Sequence, residues 1–225
     1  MGQFLQFWII DYHFDFWILG FTFMQIVSAH DKDAIRHAIK VLQRGGVIVY
    51  PTETAYGLGG DWTNRSVHRA VRAIKGRPAG KELSVIVSSA AMAGRYVKLN
   101  RAARALAKEY WPGPLSLVLP LRQGSGTLSL RISPHPLAQR LVRSLGRPLI
   151  ATSANVSGSK TLYNARVVVK EFAGCAIKPD LVLDAGGLPQ RKPSTVVRVY
   201  EDGSIEVLRE GLIRINVKIK NQKSK

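Results

Sequence analysis

A chain of 225 residues, 46% hydrophobic and 21% charged, is long enough and apolar enough to bury a core, which excludes an intrinsically disordered polymer. Its 33 Lys and Arg against 15 Asp and Glu give a formal net charge of +18, which points to polyanionic ligands, nucleotide phosphates or nucleic acid, without choosing between them. The single cysteine, Cys175, excludes an internal disulfide framework and fits a reducing cytosol. No His or carboxylate cluster accompanies it to activate a thiolate, so it reads as buried packing.

The stretch from Met1 to Val27 is dense in Phe, Trp and Ile and carries no Lys or Arg. Asp11 and Asp15 at its centre would each cost about 2.5 to 3.5 kcal/mol inside a bilayer, so no membrane span is expected. It also lacks the basic start and small-residue cleavage site of a signal peptide. Residues 1–23 read as an extension outside the fold, 24–213 as a single domain and 214–225 as a basic tail that frays. An aromatic element covering a hydrophobic patch is the other reading of residues 1–23.

From Met24 a short strand, Gln25 to Val27, leads to an N-cap at Ser28 or Asp31. Ala34, Ile35, Ala38, Ile39, Val41 and Leu42 follow at helical spacing, and Gly45-Gly46 ends that helix. Val47 to Tyr50 is a buried strand stopped by Pro51. The glycines at 57, 59 and 60 then keep the next turn thin, with Thr52, Glu53 and Thr54 just beyond the strand end. Ligands of α/β sheets bind at such places, although glycine-rich turns are common without any. A helix spans Asn64 to Ile74, with His68 on its solvent face, and stops at Gly76-Arg77-Pro78. Lys75, Arg77 and Lys81 then precede the strand Val85-Ile86-Val87, and form either an anion cradle or a solvated basic loop. Neither a dinucleotide fingerprint nor a Walker loop is present.

Helices are expected over Ala90 to Val97 and Arg101 to Tyr110, closed by Trp111-Pro112-Gly113-Pro114, and a strand over Leu115 to Leu121. Thr127 to Ile132 alternates as a half-buried strand, which puts Arg131 on its polar face. A helix over Leu137 to Leu145 precedes a strand Leu149 to Ala151. That strand ends in Thr152, Ser153, Asn155 and Ser157, either a plain turn or a second strand mouth lined with neutral donors. Val167 to Phe172 reads as helix and Leu181 to Asp184 as strand. Ser194 to Val199 pairs with Ile205 to Arg209 through the Asp202-Gly203 turn.

With these pieces in order the chain resembles the YrdC/Sua5 family of L-threonylcarbamoyladenylate synthases. The blocks that carry the resemblance are YPTETAYGLGG, KGRPAGKELSVIV, WPGPLSLVLP, TLSLRISPHPL, TSANVSG, and PSTVV followed by VLREG. The resemblance implies a twisted, open mixed α/β sheet with flanking helices and a concave basic active-site surface, in the short single-domain form. It implies that threonine and bicarbonate give N-carboxythreonine, that Mg²⁺-ATP adenylylates it with loss of pyrophosphate, and that a TsaD-type transferase carries the product to tRNA in the cytoplasm. Lys75, Arg77, Ser153 and Asn155 match the family's Lys-x-Arg and Ser-x-Asn quartet. Arg77, Lys81, Thr127, Ser153 and Arg209 match ATP-binding positions. Thr54, Ala151, Arg131 and Ser194 match threonine-binding positions, with no protein ligand expected for the metal.

The chemistry of these residues agrees with that assignment. Adenylylation requires fixed positive charge and donors around an α-phosphate, not a nucleophilic side chain. Arg131 can grip a carboxylate bidentately. Glu82 and Ile86 depart from the family pattern, the one an acid beside a phosphate loop, the other replacing a histidine of longer members. The competing expectation is a tRNA or double-stranded-RNA-binding module without catalysis, which the charge favours. The neutral Thr-Ser-Ala-Asn turn speaks against it, because an RNA groove needs Lys, Arg and stacking aromatics.

Overall fold

The computed structural model describes residues 24–76 and 83–215. Residues 1–23, 77–82 (with Glu82) and 216–225, and the expectations placed on them, lie outside the described residues. In chain order the elements are β1 (Gln25–Ser28), α1 (Ala34–Gln43), β2 (Ile48–Pro51), β3 (Tyr56–Gly59), α2 (Arg65–Lys75), β4 (Val85–Ile86), α3 (Ala90–Tyr96), α4 (Arg101–Tyr110), β5 (Leu115–Pro120), β6 (Thr127–Arg131), α5 (Pro136–Leu145), β7 (Leu149–Ile150), β8 (Thr152–Ser153), α6 (Ala165–Ala173), β9 (Leu181–Asp184), β10 (Thr195–Val199) and β11 (Ile205–Arg209). The strands form two mixed sheets, one of five in the order β1-β9-β2-β3-β8 and one of six in the order β11-β10-β5-β6-β4-β7.

Local chemistry sets the element ends. Asn64 caps α2 by accepting the Ser66 amide at 3.0 Å, and Asn100 caps α4 by accepting that of Ala103 at 2.9 Å. Such caps contribute about 0.5 to 2 kcal/mol each. Gly76 ends α2 in the left-handed region at φ +57°, a conformation glycine adopts without a Cβ penalty. Helix α1 differs from expectation. Its cap is Asp33, without a side-chain bond to the helix, while Asp31 Oδ1 accepts the Asp33 amide at 2.7 Å and shapes the approach instead. His68 is half-buried rather than solvent-facing, with Nε2 2.5 Å from the carbonyl of Trp62.

The two sheets meet where the chain changes partner. β7 pairs with β4 in one sheet and β8 with β3 in the other, and only Ala151 separates them. The Ala151 amide still reaches back to Ser84 O at 2.8 Å. What reads in the sequence as a strand, Leu149 to Ala151, followed by a polar turn is therefore two short strands in different sheets. The glycines expected in a thin turn lie instead in or beside β3, which pairs antiparallel with β2, and Pro51 ends β2 opposite Tyr56. Gly59 is required by close approach: a Cβ there would stand 1.7 Å from the Ile150 carbonyl oxygen. The buried Tyr50 hydroxyl donates to that same oxygen at 2.8 Å.

Core residues come from both sheets and every flanking helix, with Tyr50, Tyr56 and Phe172 among the largest side chains wholly enclosed. β6 is not half-wet as its alternation suggests. Ser129 and Arg131 are 8% and 6% exposed: Arg131 is met by Glu53 of the other sheet, and Ser129 accepts the Ser84 hydroxyl at 3.0 Å. Gly59→Ala is expected to destabilise the fold by at least about 3 kcal/mol, since the obstacle is backbone that cannot rotate aside. Urea unfolding measures this, and a loss within 0.5 kcal/mol, roughly the surface-substitution range, would refute the close approach.

Candidate active site

A cleft of about 540 Å³ is lined by both sheets. The six-stranded sheet supplies Ser116 from β5, Ser129 and Arg131 from β6, and Arg209 from β11. The five-stranded sheet supplies Thr52 and Thr54 from the β2–β3 loop and Ser153 from β8. Thr52 holds that loop closed: its hydroxyl donates to Ala55 O at 2.6 Å and accepts the Thr54 amide at 3.3 Å.

Three arginines line this cleft, Arg131, Arg209 and the exposed Arg191. Arg131 Nε donates to Glu53 Oε1 at 2.9 Å, with the two side chains 8% and 6% exposed, and Ser133 Oγ donates to the other carboxylate oxygen. Arg209 donates from Nε and Nη2 to Ser194 O at 3.1 and 2.8 Å, and from Nη2 to Ser194 Oγ at 3.2 Å. That hydroxyl lies 3.1 Å from Ser116 Oγ. Burial, and then the charge of Arg131, push the Arg209 guanidinium below its ordinary pKa. Arg209 thus has carbonyl and hydroxyl partners where Arg131 has a carboxylate. An anion entering the cleft would relieve the repulsion between the two cations.

Of the residues expected from sequence, Thr54, Arg131, Ala151, Ser153, Ser194 and Arg209 all line this cleft. Lys75 and Asn155 do not; both are buried behind the Ser153 turn. Lys75 Nζ donates to Ser153 O at 2.5 Å and Asn155 O at 2.7 Å, so its ammonium clamps the turn that presents Ser153. Asn155 Nδ2 donates to Val156 O at 3.0 Å and Ser159 O at 2.6 Å, closing the same turn. Thr127 opens β6, four residues before Arg131 and so about 13 Å away along the strand, and does not line the cleft. Arg77 and Lys81 lie outside the described residues.

Sequence reasoning did not single out Tyr56, Ser116 or Arg191 as site residues, and placed Glu53 at a ligand-binding strand end with Thr52 and Thr54 without giving it a role. The signal for Glu53 was present, as the one carboxylate in a Tyr-Pro-Thr-Glu-Thr run next to a buried strand. Tyr56 is wholly buried, and its hydroxyl donates to Gly186 O at 2.8 Å while accepting the Ala185 amide at 2.9 Å. Burial pushes its pKa up to about 12. Cys175, two residues beyond the end of α6, is half-buried rather than buried, its thiol 3.6 Å from the Glu171 carbonyl oxygen. Among the described residues no group of three or more His, Cys, Asp and Glu gathers as a metal site, and no helix is long and apolar enough to cross a membrane.

With this geometry in view, the comparisons are specific. A family model for the Sua5/YciO/YrdC domain, described as telomere recombination, matches residues 40–211. The chain belongs to the Sua5/YciO/YrdC family. It is 37% identical over 160 residues to a threonylcarbamoyl-AMP synthase of Serratia proteamaculans, covering 66% of this chain and 84% of that protein. It is 33% identical over 176 residues to a threonylcarbamoyl-AMP synthase of Pyrococcus abyssi, covering 74% of this chain and 51% of that one. The crystal structure of Sua5 from Pyrococcus abyssi complexed with L-threonine superposes with a TM-score of 0.76 at 31% identity, covering 84% of this chain and 58% of that one. The chain thus spans about half the length of its archaeal Sua5 relative and most of the Serratia one. The mixed α/β architecture expected from the sequence is that of the Sua5/YciO structures.

Two expectations follow from the site's buried polar groups. Lys75→Met should lower stability by about 1.5 to 3 kcal/mol, the range for losing hydrogen bonds to a charged group, and should speed amide exchange through residues 153–157. Unchanged exchange there would show that Lys75 clamps nothing. The Tyr56 phenol, raised in the folded state, keeps its full stabilising contribution below the unfolded value near 10 and loses it as pH rises towards about 12. Chemical unfolding followed from pH 9 to 12 should therefore show a smaller loss of stability in Tyr56→Phe than in the wild-type protein.

Proposed function

We propose that the protein is an L-threonylcarbamoyladenylate synthase, a nucleotidyltransferase that uses L-threonine, bicarbonate and ATP. The observation that carries this reading is the pair of arginines, Arg131 and Arg209, set among neutral hydroxyls in one cleft. Relatives named threonylcarbamoyl-AMP synthase, and a related Sua5 structure holding L-threonine, support it. The RNA-binding module without catalysis is not favoured by either.

In this reading the threonine amine attacks bicarbonate carbon, and water leaves to give the carbamate. A carbamate oxygen then attacks the α-phosphorus of ATP, the bond to the bridging oxygen of the β-phosphate breaks, and pyrophosphate departs. Arg131 holds the threonine carboxylate through paired N–H donors, with Thr54, Ser194 and the backbone at Ala151 completing that subsite. Arg209 faces the phosphates, and Ser153 donates to the oxygens on which charge develops. Lys75 and Asn155 act through the turn that carries Ser153, and Thr127, Arg77 and Lys81 enter on the family match alone. Mg²⁺ arrives with ATP as part of the substrate. Glu53, which stands behind Arg131 rather than among the lining residues, is already engaged by Arg131 and Ser133, so the donor set suits phosphate oxygens better than a resident metal.

No nucleophilic side chain is required, because the attacking group belongs to the substrate. The product is a mixed anhydride that water destroys, which calls for direct delivery to a TsaD-type transferase acting on tRNA in the cytoplasm. The positive surface suits contact with tRNA during that transfer.

Pyrophosphate release should require threonine, bicarbonate, Mg²⁺ and ATP together. Ser153→Ala should lower kcat at least about tenfold, or roughly 1.4 kcal/mol. Arg131→Lys, which keeps the charge and loses the fork, should raise the KM for threonine about tenfold or more. Threonine-independent release, or wild-type kinetics in both variants, would overturn the assignment.

A further inference from the structure

The Glu53 carboxylate is buried, and its two oxygens serve different partners, Arg131 on one side and Ser133 on the other. It crosses between layers: Glu53 stands in the β2–β3 loop of the five-stranded sheet, and Arg131 ends β6 of the six-stranded one. Stability alone does not explain such a pair. Desolvating two ions offsets most of their mutual attraction, and an apolar pair of the same shape is often as stable.

What the carboxylate does supply is orientation and charge balance. Bound through Nε, a guanidinium has its plane set by the acceptor and retains four of its five N–H donors, on the two Nη atoms, for other partners. Rotation about the Cδ–Nε bond, which would sweep those donors through the cleft, is stopped. Compensating Arg131 also lets Arg209 stand near it. The pKa of Arg209 already registers Arg131 as a repelling charge, and without Glu53 both cations would share a half-dehydrated space uncompensated.

We infer that Glu53 is a positioning residue that aims the Arg131 guanidinium at the carboxylate of the amino-acid substrate, with Ser133 fixing the orientation of Glu53 in turn. This rests on the threonine-binding reading of the cleft. The inference makes the amino-acid end of the site depend on a residue of the opposite sheet, so that threonine affinity reports how the two sheets are set against each other. Glu53 itself has both oxygens occupied and need not touch substrate.

The test uses the full-length protein with Glu53→Gln, which preserves size and removes the charge, and Ser133→Ala, which leaves the charge and frees one oxygen. Threonine binding by calorimetry without ATP is expected to weaken at least tenfold in Glu53→Gln, while ATP affinity changes less than threefold. The Arg131 Nε–Hε NMR resonance, assigned by its loss in Arg131→Lys, should exchange with water at least tenfold faster in Glu53→Gln, with Ser133→Ala shifting both readouts the same way by less. Unchanged Nε exchange would overturn the inference. So would equal losses of threonine and ATP affinity accompanied by a fall in Tm, the pattern of a merely structural staple. Wild-type protein that binds no threonine would sink the substrate reading instead, and with it the aim at an amino-acid carboxylate. A positioning effect on Arg131 would then still stand or fall by the exchange rates.

Discussion

Arg131, enclosed, and Arg209, exposed, bring two guanidinium charges to one cleft, and much of the surrounding structure can be understood as accommodating that arrangement. Like charges in a low-dielectric space repel strongly. The protein answers in two ways. Arg131 is given a carboxylate, Glu53, whereas Arg209 is given the carbonyl and hydroxyl of Ser194. The first device neutralises; the second solvates without neutralising. The cleft therefore has an end that is formally balanced and an end that remains positive. That division suits a ligand pair of unequal charge, a zwitterionic amino acid beside a polyphosphate.

The same arrangement explains why the cleft needs two sheets. A single sheet offers side chains from one surface at spacings fixed by strand separation. Here the acid and base of the balanced end come from different sheets, brought together because the chain changes partner at Ala151 and Gly59 lets the backbone of Ile150 approach within a distance no side chain would permit. Tyr50 then ties the seam by donating to the same carbonyl. The packing that joins the sheets thus also sets the distance between Glu53 and Arg131.

This is where sequence stopped being a sufficient guide. Periodicity located the strands and helices, and the helix stop at Gly76 and the Asp202-Gly203 hairpin followed from local chemistry alone. A change of sheet leaves no periodic mark, so Leu149 to Ser153 read as one strand with a polar turn. Alternation in β6 implied a wet face, because nothing local says that a loop 78 residues away covers Arg131. Glycines in β3 read as a turn, since close approach and tight turning place the same demand on the sequence. The resemblance supplied six residues that do line the cleft, yet it could not separate those that face a ligand from those that hold the turn behind them. Glu53 could be placed at a strand end beside two threonines, but not given a role, because nothing local names Arg131 as its partner.

Lys75 and Arg131 show how the choice of cation follows from the task. The turn carrying Ser153 brings the carbonyls of Ser153 and Asn155 towards one point, and a compact ammonium with three rotatable donors can satisfy both at 2.5 and 2.7 Å. A guanidinium there would be too broad and its donors too rigidly forked. At Arg131 the demands reverse. One donor must be surrendered to Glu53 while others remain, in a plane, for a carboxylate to engage edge-on, and a lysine bonded to Glu53 would keep no fixed plane to offer. One buried cation therefore shapes the backbone and the other, in the proposed reading, presents a surface to ligand, although the sequence shows only a lysine at a helix end and an arginine at a strand end.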